Sequence, residues 1–369
     1  MPMPIQPKPL RVLILRADES ANNTLSYQIG FPKAFVCHDR FQTTVVNILS
    51  SRHANWFRLW RSIKLDRLDA IILLHSVFSN SLKLGGRLLD MVAAAPQPKV
   101  LFLGNEYKLM PEKMAFAEEI NSTVLVTQFS AAEPIDLYRQ RLGIPVLHIP
   151  NAAIDPETFP PGPPFADRPI DIGYRAYDAA WYLGHNERHE MAERFAEAAA
   201  RRGLVADISL KREDRMESNA WAGFLRLCKA QIATEAGGDY FELNDDTRVK
   251  VNAYVKANPA AGFTDVHRRF FASYVKPVPG RIISPRNAEA AASKTVQLLL
   301  EGAYGGYFEP DVHYIPVQKD FSDIDSALDK LDDPEYCARI VDAAYERVMD
   351  SLTFNTVLNR LHGELSQLL

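Results

Sequence analysis

The chain has 369 residues, which at about 150 residues per domain predicts two domains and excludes a mini-protein. Its 42 basic and 46 acidic side chains give a net charge of −4, so nothing in the composition favours nucleic acid as a partner. No apolar run approaches the roughly 18 residues that suggest a membrane-spanning helix, and the first ten residues lack the apolar core of a signal peptide. We therefore expect a cytoplasmic protein, with peripheral attachment to the inner face of the membrane left open.

The first 150 residues alternate short apolar runs with helical patterns. The runs are rich in Val, Ile and Leu, as is typical of buried parallel strands, and they cover residues 11–15, 69–76, 99–104, 123–127 and 145–150. Helical patterns lie between them at 82–95 and 134–143, and Gly143 ends the second where a glycine commonly stops a helix. The alternation predicts an open α/β sheet covered on both faces.

Residues 155–169 contain six prolines and a glycine and predict a connection between two domains. After them the alternation restarts. Strands are predicted at 170–174, 205–210, 230–234, 281–284 and 313–317, and helices at 187–202, 221–229 and 287–300. Residues 334–369 carry apolar side chains at helical spacing and predict two closing helices. Cys37, Cys228 and Cys337 lie far apart, which favours reduced, buried thiols.

The sequence lacks the common catalytic signatures. There is no GxGxxG, GxxxxGK[ST], GxSxG or HExxH, which argues against a dehydrogenase, a P-loop NTPase, an α/β-hydrolase and a zinc protease. His185 and His189 share a helix face, but Asn186 replaces the glutamate of a zinc protease and no third ligand is apparent. Asp323 and Asp325 form a DxD, which we interpret as the capping of a helix start. We predict no metal site.

A candidate anion site lies where the second domain begins. The predicted strand at 170–174 runs directly into Arg175, and ligands of open α/β sheets bind at the carboxyl ends of strands. Arg188 follows near the start of the next helix, whose free N–H groups also favour an anion. Two arginines at this place would suit a diphosphate.

A second candidate region combines two later segments. Glu235 and Gly237–Gly238 follow an apolar strand, and glycine lets a backbone approach a ligand closely. Ser284 can cap a helix, and Glu289 follows one turn along in an alanine-rich stretch. The helix start would receive phosphate oxygens, and the Glu289 carboxylate could accept hydrogen bonds from two vicinal ribose hydroxyls. The alternative is that Glu289 is a solvated helix carboxylate.

Together these residues resemble group 1 glycosyltransferases of the GT-B fold, and most closely their spore-coat-maturation-like branch. Residues 149–161, IPNAAIDPETFPP, look like the turn before the interdomain linker of that family, and 173–177, GYRAY, like the loop that opens its second domain. Residues 283–306 are similar to the acidic, small-residue helix of its carboxyl-terminal half. The resemblance covers about residues 145–354 well.

The resemblance implies an α/β protein in which two Rossmann-like domains face each other across a cleft, with closing helices at the C-terminus. Residues 1–159 would bind the acceptor, residues 160–345 the nucleotide-sugar donor, and helix 346–369 would cross back to the N-terminal domain. It further implies a metal-independent hexosyltransferase that moves a sugar from a nucleotide-diphosphate donor to an acceptor hydroxyl, in glycan or surface-polysaccharide biosynthesis. The donor would be a substrate, with no tightly bound cofactor, and the acceptor a glycan, a lipid-linked molecule or a protein.

The resemblance also implies roles for single residues. Glu289 matches the family glutamate that holds the donor ribose, and Glu235 matches the one that contacts the donor sugar, with residues 240–280 inserted between them. Arg175 and Arg188 match the basic residues that neutralise the diphosphate. The predicted donor-binding set is Arg175, Arg188, Gly237, Gly238, Ser284, Arg286 and Glu289.

Candidates in the N-terminal domain rest on position alone. Glu106 follows the predicted strand at 99–104 and is hypothesised to contact the transferred sugar or to act as the general base, the alternative being a loop carboxylate. Asp18 with Glu19 after the first strand, and His75, are further candidates.

Several alternatives stay open at this point. A two-lobed ligand-binding or sensor protein, a sugar-nucleotide epimerase of the same fold, and an inactive partner subunit would share the same architecture. Residues 240–280, rich in aromatic and basic side chains, would cover the donor, grip an acceptor or form a surface insertion. The nucleotide base, the sugar, the stereochemical course and the oligomeric state are not predicted.

Overall fold

The computed structural model describes residues 8–18, 25–50 and 52–369. The N-terminal sheet has six parallel strands in the order β2-β1-β3-β4-β5-β6. The strands are β1 (Leu10–Arg16), β2 (Phe41–Asn47), β3 (Ala70–Leu73), β4 (Lys99–Phe102), β5 (Val124–Thr127) and β6 (Val146–His148). The helices that cover the sheet are α1 (Ser26–Cys37), α2 (Arg52–Leu65), α3 (Arg87–Ala93), α4 (Met110–Glu119) and α5 (Ala132–Leu142).

The five strands predicted in this half are confirmed, because their apolar runs are buried on both faces. The sequence analysis missed β2, an edge strand whose Gln42, Thr43 and Thr44 interrupt the apolar pattern. The prediction of buried thiols is wrong for Cys37, which is exposed at the end of α1, and holds for the other two cysteines.

The C-terminal sheet has five parallel strands in the order β13-β12-β9-β7-β8. They are β7 (Ile170–Arg175), β8 (Ala206–Ser209), β9 (Cys228–Ala233), β12 (Val296–Leu300) and β13 (Ile315–Val317). An antiparallel strand pair, β10 (Ala236–Gly238) and β11 (Gly280–Ile282), forms a separate two-stranded sheet. The helices are α6 (Glu187–Arg202), α7 (Ser218–Leu227), α8 (Asp246–Ala257), α9 (Phe263–Phe270), α10 (Pro285–Ala292), α11 (Ile324–Leu331), α12 (Pro334–Ser351) and α13 (Phe354–Leu368).

One predicted helix is half wrong. The helix expected over 287–300 ends at Ala292, and Val296–Leu300 forms the fully buried strand β12 between β9 and β13. A short apolar run fits a buried strand as well as a buried helix, so its sequence pattern does not decide between them. The strand predicted at 281–284 belongs to the antiparallel pair β10–β11 instead of the main sheet.

The chain passes between the two sheets twice, and the two passages lie side by side. The Ile154 amide donates to the carbonyl oxygen of Leu352 (2.9 Å), and the Phe354 amide donates to that of Ile154 (3.0 Å). Beyond this point α13 packs on α1 and the N-terminal sheet, with the Phe354 ring 5.1 Å from that of Phe31. The predicted fold class is confirmed: two Rossmann-like sheets with closing helices. Helix α12 runs through the predicted boundary at 345/346.

Residues 240–280, the bridging segment, connect the two halves on another side of the molecule. Within this segment α8 and α9 pack around Phe271 and against the short turn at 181–183. At its beginning Phe241 inserts into the N-terminal core, 4.8 Å from the Phe129 ring and 5.2 Å from the Tyr138 ring. The segment therefore contributes to the packing of both halves. In the part of the chain that the structure describes, no helix is both long and apolar enough to cross a membrane.

Candidate ligand-binding cleft

A cavity of about 600 Å³ opens between the two sheets. Ala17 and Ser76 line it just beyond β1 and β3, and Tyr174 and Ala233 line it at the ends of β7 and β9. In each sheet these two strands are neighbours at the point where the strand order reverses, which is where open α/β sheets form ligand crevices. The volume falls within the range of about 300–1,000 Å³ that is usual for small-molecule sites.

The wall that the C-terminal half contributes carries four arginines, and we call it the arginine wall. Arg188 lies in the first turn of α6, and Arg286 in the first turn of α10. Arg212 and Arg215 come from the loop between β8 and α7. Helix N-termini add partial positive charge and free N–H groups to that of the guanidinium groups, so this wall suits an anion.

The arginines surround Tyr177. The guanidinium carbon of Arg188 lies 4.8 Å from the centre of the Tyr177 ring, and that of Arg215 lies 5.4 Å from it. Burial alone would raise the pKa of the Tyr177 hydroxyl, but the positive charges of Arg188, Arg215 and Arg286 outweigh burial and lower that pKa. A site that favours the phenolate would also favour the oxygens of a phosphate.

Glu289 joins the two walls of the cleft. Its carboxylate is 3% exposed and accepts hydrogen bonds from the indole Nε1–H of Trp221 (2.7 Å) and from the hydroxyl of Ser26. Trp221 lies on α7 in the C-terminal half, whereas Ser26 begins α1 in the N-terminal half. Burial raises the pKa of Glu289, and its two donors and Arg286 partly oppose that rise. Arg286 in turn stacks on the Trp221 ring at 4.8 Å.

The opposite wall, which we call the neutral wall, consists mostly of uncharged hydrogen-bonding groups. These are Ser26, Tyr27, Gln28, Ser76, Ser79, Asn80, Ser81, Asn105, Tyr107, Gln128 and Asn151. Among the described residues of this wall, Lys83, Lys108 and Glu106 are the charged ones. Hydroxyls and amides donate and accept in many directions, which suits a polyhydroxylated ligand better than an anion.

Glu106 is held from within the N-terminal half. Its carboxylate accepts hydrogen bonds from the Thr127 hydroxyl (2.5 Å), the Gln128 amide (2.7 Å) and the Tyr138 hydroxyl (2.7 Å). Burial raises its pKa, while the three donors and Lys113 oppose the rise. The fully buried Lys113, whose pKa burial lowers to about 7, donates to three carbonyl oxygens of the loop at 104–108. This network positions the loop; the role of Glu106 as a base stays a prediction.

Comparison with known proteins identifies the fold. No protein-family model matches the chain, and no curated protein matches it in sequence. HepE of Anabaena, solved with UDP-glucose, superposes with a TM-score of 0.53 at 10% identity, over 97% of this chain and 100% of HepE. HepE solved with UDP and glucose gives a TM-score of 0.50 at 10% identity over the same shares. TarM gives a TM-score of 0.50 at 11% identity, over 84% of this chain and 58% of TarM. The chain has the GT-B fold.

Several predicted residues line the cleft of this GT-B chain, and others do not. The cavity walls include Arg188, Gly237, Ser284, Arg286 and Glu289. The geometry gives no support to the diphosphate role predicted for Arg175. Its guanidinium binds both carboxylate oxygens of Asp207 at 2.8 Å and stacks on the Phe224 ring at 4.4 Å, away from the cavity.

Glu235 also turns away from the GT-B cleft. Its carboxylate accepts from the Tyr304 amide at 2.7 Å and fixes the loop after β12, so the predicted contact with a donor sugar has no support in this geometry. Gly237 has a φ of +88°, and a Cβ there would lie 2.1 Å from the carbonyl oxygen of Gly280. The pairing of β10 with β11 therefore requires this glycine. Gly238 belongs to the same strand pair and does not line the cavity.

Neither His75 nor Asp18, two further N-terminal candidates, lines the cleft. His75 is a core residue between the rings of Tyr27, Phe31 and Phe102, and burial lowers its pKa to about 3. Asp18 pairs with Arg16 at 3.2 Å. Glu19 lies outside the described residues.

The two metal-like motifs have ordinary structural partners. The Nε2 atom of His185 lies 3.1 Å from the carbonyl oxygen of Gly237, while His189 at the surface pairs with Asp178 and Glu193. Asp323 is the residue just before α11, and Asp325 pairs with arginines of α6. Over residues 8–18, 25–50 and 52–369, no group of three or more His, Cys, Asp or Glu side chains is arranged to hold a metal ion.

Among the residues that line the GT-B cleft, the sequence analysis gave no role to Arg212, Arg215, Trp221 or Ser26. Arg212 and Arg215 belong to the segment KREDR, a basic loop after a predicted strand, which was an available signal. Trp221 appeared in a predicted helix without a role, because nothing local shows that its indole faces Glu289. Ser26 lies 263 residues from its partner Glu289, and no sequence pattern connects the two.

Proposed function

We propose that this protein is a glycosyltransferase that moves a sugar from a nucleotide-diphosphate donor to an acceptor hydroxyl. The observation that carries the proposal is the contrast within one GT-B cleft between an arginine wall and a neutral wall. A nucleotide sugar has the matching division into a charged diphosphate and an uncharged, polyhydroxylated sugar. HepE, which shares the fold, was solved with UDP-glucose.

The donor would lie along the arginine wall. Arg188, Arg215 and Arg286 would pair with the diphosphate oxygens at the N-termini of α6 and α10. As the bond from sugar to phosphate breaks, negative charge grows on the leaving diphosphate. Fixed positive groups in a cleft shielded from water lower the energy of that transition state.

Glu289 would hold the donor ribose. Its carboxylate lies at the boundary of the two walls and accepts hydrogen bonds from Trp221 and Ser26. Both carboxylate oxygens therefore already act as hydrogen-bond acceptors inside the cleft. A ribose hydroxyl would replace the Ser26 hydroxyl on one oxygen, while Trp221 kept the other oxygen in place. Donor binding would thus exchange a contact between the walls for a contact with the ligand.

The finer assignments belong to the same proposal. The domains would be residues 1–159 for the acceptor, 160–345 for the donor and 346–369 for the returning helix. The reaction would be a metal-independent hexosyl transfer of the spore-coat-maturation-like branch, to a glycan, a lipid-linked molecule or a protein. The protein would act in the cytoplasm, with peripheral attachment to the inner face of the membrane. The resemblance described for residues 145–354 supports these assignments.

Thermal denaturation with a panel of ligands tests the donor site. UDP, GDP, ADP, CMP and their sugar conjugates are added to the wild type, to Glu289→Ala and to Arg188→Gln. Arg194→Gln, an exposed position on the same helix α6, is the matched control. We expect one diphosphate to raise the melting temperature of the wild type and the control by a few degrees, and the two cleft variants to lose that shift.

Product analysis then separates the enzyme classes. A new glycoside on an added acceptor identifies a transferase, an altered donor sugar identifies an epimerase, and binding without turnover identifies an inactive relative. A folded wild type that responds to no nucleotide would overturn the proposal and favour a two-lobed binding protein.

A further inference from the structure

The loop at 104–109, which follows β4 on the neutral wall, is held from two sides, and we call it the lysine loop. The Lys113 ammonium donates to three carbonyl oxygens of this loop, including that of Lys108 (2.9 Å). The amide of Leu109 donates to the carboxylate of Asp245, which belongs to the bridging segment (2.8 Å). The peptide group between Lys108 and Leu109 is therefore fixed at its carbonyl by a cation and at its amide by a carboxylate.

The backbone of the lysine loop requires such support. Asn105 and Leu109 have φ angles of +48° and +55°, in the left-handed region that residues other than glycine rarely adopt. Residues in such conformations persist where surrounding contacts hold them, and they cluster at ligand-binding sites. Asp245 is 4% exposed, and the Nε atom of Arg248 donates to its two oxygens at 2.7 and 2.8 Å. A buried, paired carboxylate of the bridging segment thus stabilises the shape of this loop.

Lys108 is the cation that the lysine loop brings to the cavity. It lines the cavity, is half-buried, and has its Nζ atom 5.9 Å from the centre of the Tyr107 ring. Among the described residues, no carboxylate lies within 4.0 Å of this Nζ atom. Burial lowers its pKa and Arg248 acts in the same direction, while Tyr177 and Asp245 oppose that shift. A half-buried ammonium without a carboxylate at contact distance gains much from an anion that a ligand supplies.

The charges around the cavity leave Lys108 in excess of what the donor needs. Among the described residues, six cationic side chains line the cavity, against the two carboxylates Glu106 and Glu289. Four of these cations form the arginine wall, and they already outnumber the charges of one diphosphate group. Lys83 and Lys108 lie on the neutral wall, so a diphosphate on the arginine wall does not require them.

We propose that Lys108 binds an anionic group, a phosphate monoester or a carboxylate, on a sugar acceptor. The inference rests on the proposed function, which places the acceptor at the neutral wall. The hydroxyls and amides of this wall bind the uncharged part of the acceptor, and Lys108 selects the acceptor by its charge. Asp245 is a positioning residue, because it holds the backbone that presents Lys108.

Protection of Lys108 from acetylation tests the inference in the full chain. Traces of acetic anhydride label accessible amines, and peptide mass spectrometry gives the labelling rate at Lys108 with and without a ligand. The probes are the 6-phosphates and the uronates of glucose, galactose and mannose, each compared with its parent hexose. We expect an anionic form at saturation to slow the labelling about ten-fold, because an ion-paired amine stays protonated and shielded. The two kinds of probe distinguish a phosphate from a carboxylate.

Calorimetry with the most protective anionic sugar then assigns the contact. Lys108→Met should weaken its binding about 10- to 100-fold, because a charge-assisted contact is lost, and Lys108→Arg should restore most of the affinity. Lys250→Met removes an exposed lysine on α8 and is the matched control. The parent hexose should bind equally to all of these variants.

A second set of variants tests the positioning role of Asp245. Asp245→Ala should weaken binding of the anionic sugar although Lys108 is intact. Asp245→Asn should restore part of the affinity, because an amide oxygen still accepts from the Leu109 amide. Asp246→Ala changes the exposed neighbour and should bind like the wild type. The nucleotide response, measured without acceptor, should stay the same in every variant, which separates positioning from a general loss of structure.

Four outcomes would overturn the proposal. The first two are a folded wild type in which no anionic sugar protects Lys108, and equal protection by the anionic sugars and their parent hexoses. The third is unchanged affinity in Lys108→Met. The fourth is a Lys108→Met variant that loses nucleoside diphosphate binding as Arg188→Gln does, which would assign Lys108 to the donor. Failure of the proposed function is distinguishable, because it shows as a wild type that responds to no nucleotide, whatever protects Lys108.

Discussion

The two walls of the cleft differ in what they offer a ligand. The arginine wall has four guanidinium groups and two helix N-termini, whereas the neutral wall offers mainly hydroxyls and amides. Charge attracts every phosphate alike, but a set of fixed donors and acceptors distinguishes one hydroxyl pattern from another. The difference suggests that the arginine wall supplies affinity and that the neutral wall supplies selectivity.

Each wall also buries one glutamate, and the two are held differently. Glu106 and Glu289 are both 3% exposed. The three donors to Glu106 all belong to the N-terminal half, so movement between the halves leaves them in place. The donors to Glu289 come from both halves, so any opening of the cleft breaks one of them. Of the two carboxylates, Glu289 is the one that a ligand can reach by displacing a neighbour.

The largest expected effect concerns what holds the two walls together. Phe241 of the bridging segment is 5% exposed and packs on Phe129 and Tyr138 of the N-terminal half. Phe241→Ala should lower the free energy of unfolding by about 4 kcal/mol, as for other buried phenylalanines, in urea titrations. Small-angle scattering should show a larger radius of gyration, because the bridging segment no longer holds the halves together.

Phe271→Ala is the matched control for this prediction. Phe271 is 7% exposed in the same segment, but it packs on Tyr240 and Tyr274 within the C-terminal half. It should destabilise the protein without changing the radius of gyration. An equal radius in both variants would mean that α13 alone sets the spacing of the walls.

The second prediction uses the opposite pKa shifts of carboxylates on the two sides. Burial acts to raise the pKa of Glu187, but Arg281, His185 and Lys319 outweigh it and lower that pKa from 4.5 to about 2. Its contribution to stability is therefore complete above pH 4.5 and is lost as the pH falls towards 2. The difference between wild type and Glu187→Gln should shrink over that range by about 3 kcal/mol.

Glu106 should show the opposite sign. Because burial raises its pKa, the folded state favours the protonated form, and the wild type should lose stability relative to Glu106→Gln as the pH rises above 4.5. Urea titrations of both variants between pH 2 and about 7 measure the two trends. Trends of the same sign would contradict the opposite pKa shifts of Glu187 and Glu106. Full turnover by a folded Glu106→Gln would also exclude the base role.

The third prediction separates affinity from selectivity. Arg188→Gln should weaken binding of the responding nucleoside diphosphate about 10- to 100-fold in calorimetry, because one charge-assisted contact is lost. Asn80→Ala on the neutral wall should leave that affinity unchanged and alter only the KM for the acceptor. Arg194→Gln controls for the loss of one positive charge on α6. Equal losses in the Arg188 and Asn80 variants would show that the division between the walls is false.

Much of this architecture could be predicted from local patterns. Buried parallel strands are apolar runs and the closing helices are amphipathic, so both can be recognised from a few consecutive residues. Of the donor candidates that line the cleft, Arg188, Ser284 and Arg286 stand at helix starts, where the chemistry depends only on sequence position. Residues 296–300 were misassigned because an apolar run does not distinguish a strand from a helix.

The site predictions that the geometry does not support have a different cause. Arg175 ends a strand at the expected edge, but its side chain binds Asp207 of the neighbouring strand, a partner fixed by the register of β7 and β8. Glu235 follows a strand as predicted, but its carboxylate accepts a hydrogen bond from the backbone amide of Tyr304, 69 residues further along the chain. Side-chain direction at a strand end depends on such distant partners, and a single sequence does not contain them.

The smallest expected effect tests how Glu289 changes partners. Trp221→Phe keeps a ring under Arg286 but removes the Nε1–H donor, so the carboxylate loses its orientation and its pKa rises further. Loss of one such hydrogen bond is worth about 1 kcal/mol, which predicts roughly five-fold weaker nucleotide binding. Ser26→Ala removes the other donor, the one that a ribose hydroxyl would replace. Its effect should have the opposite sign, because the ligand no longer competes with Ser26, and binding should tighten by a similar factor. Calorimetry on both variants measures this directly: weaker binding in both would mean that Ser26 stays on Glu289 in the complex and that the ribose lies elsewhere.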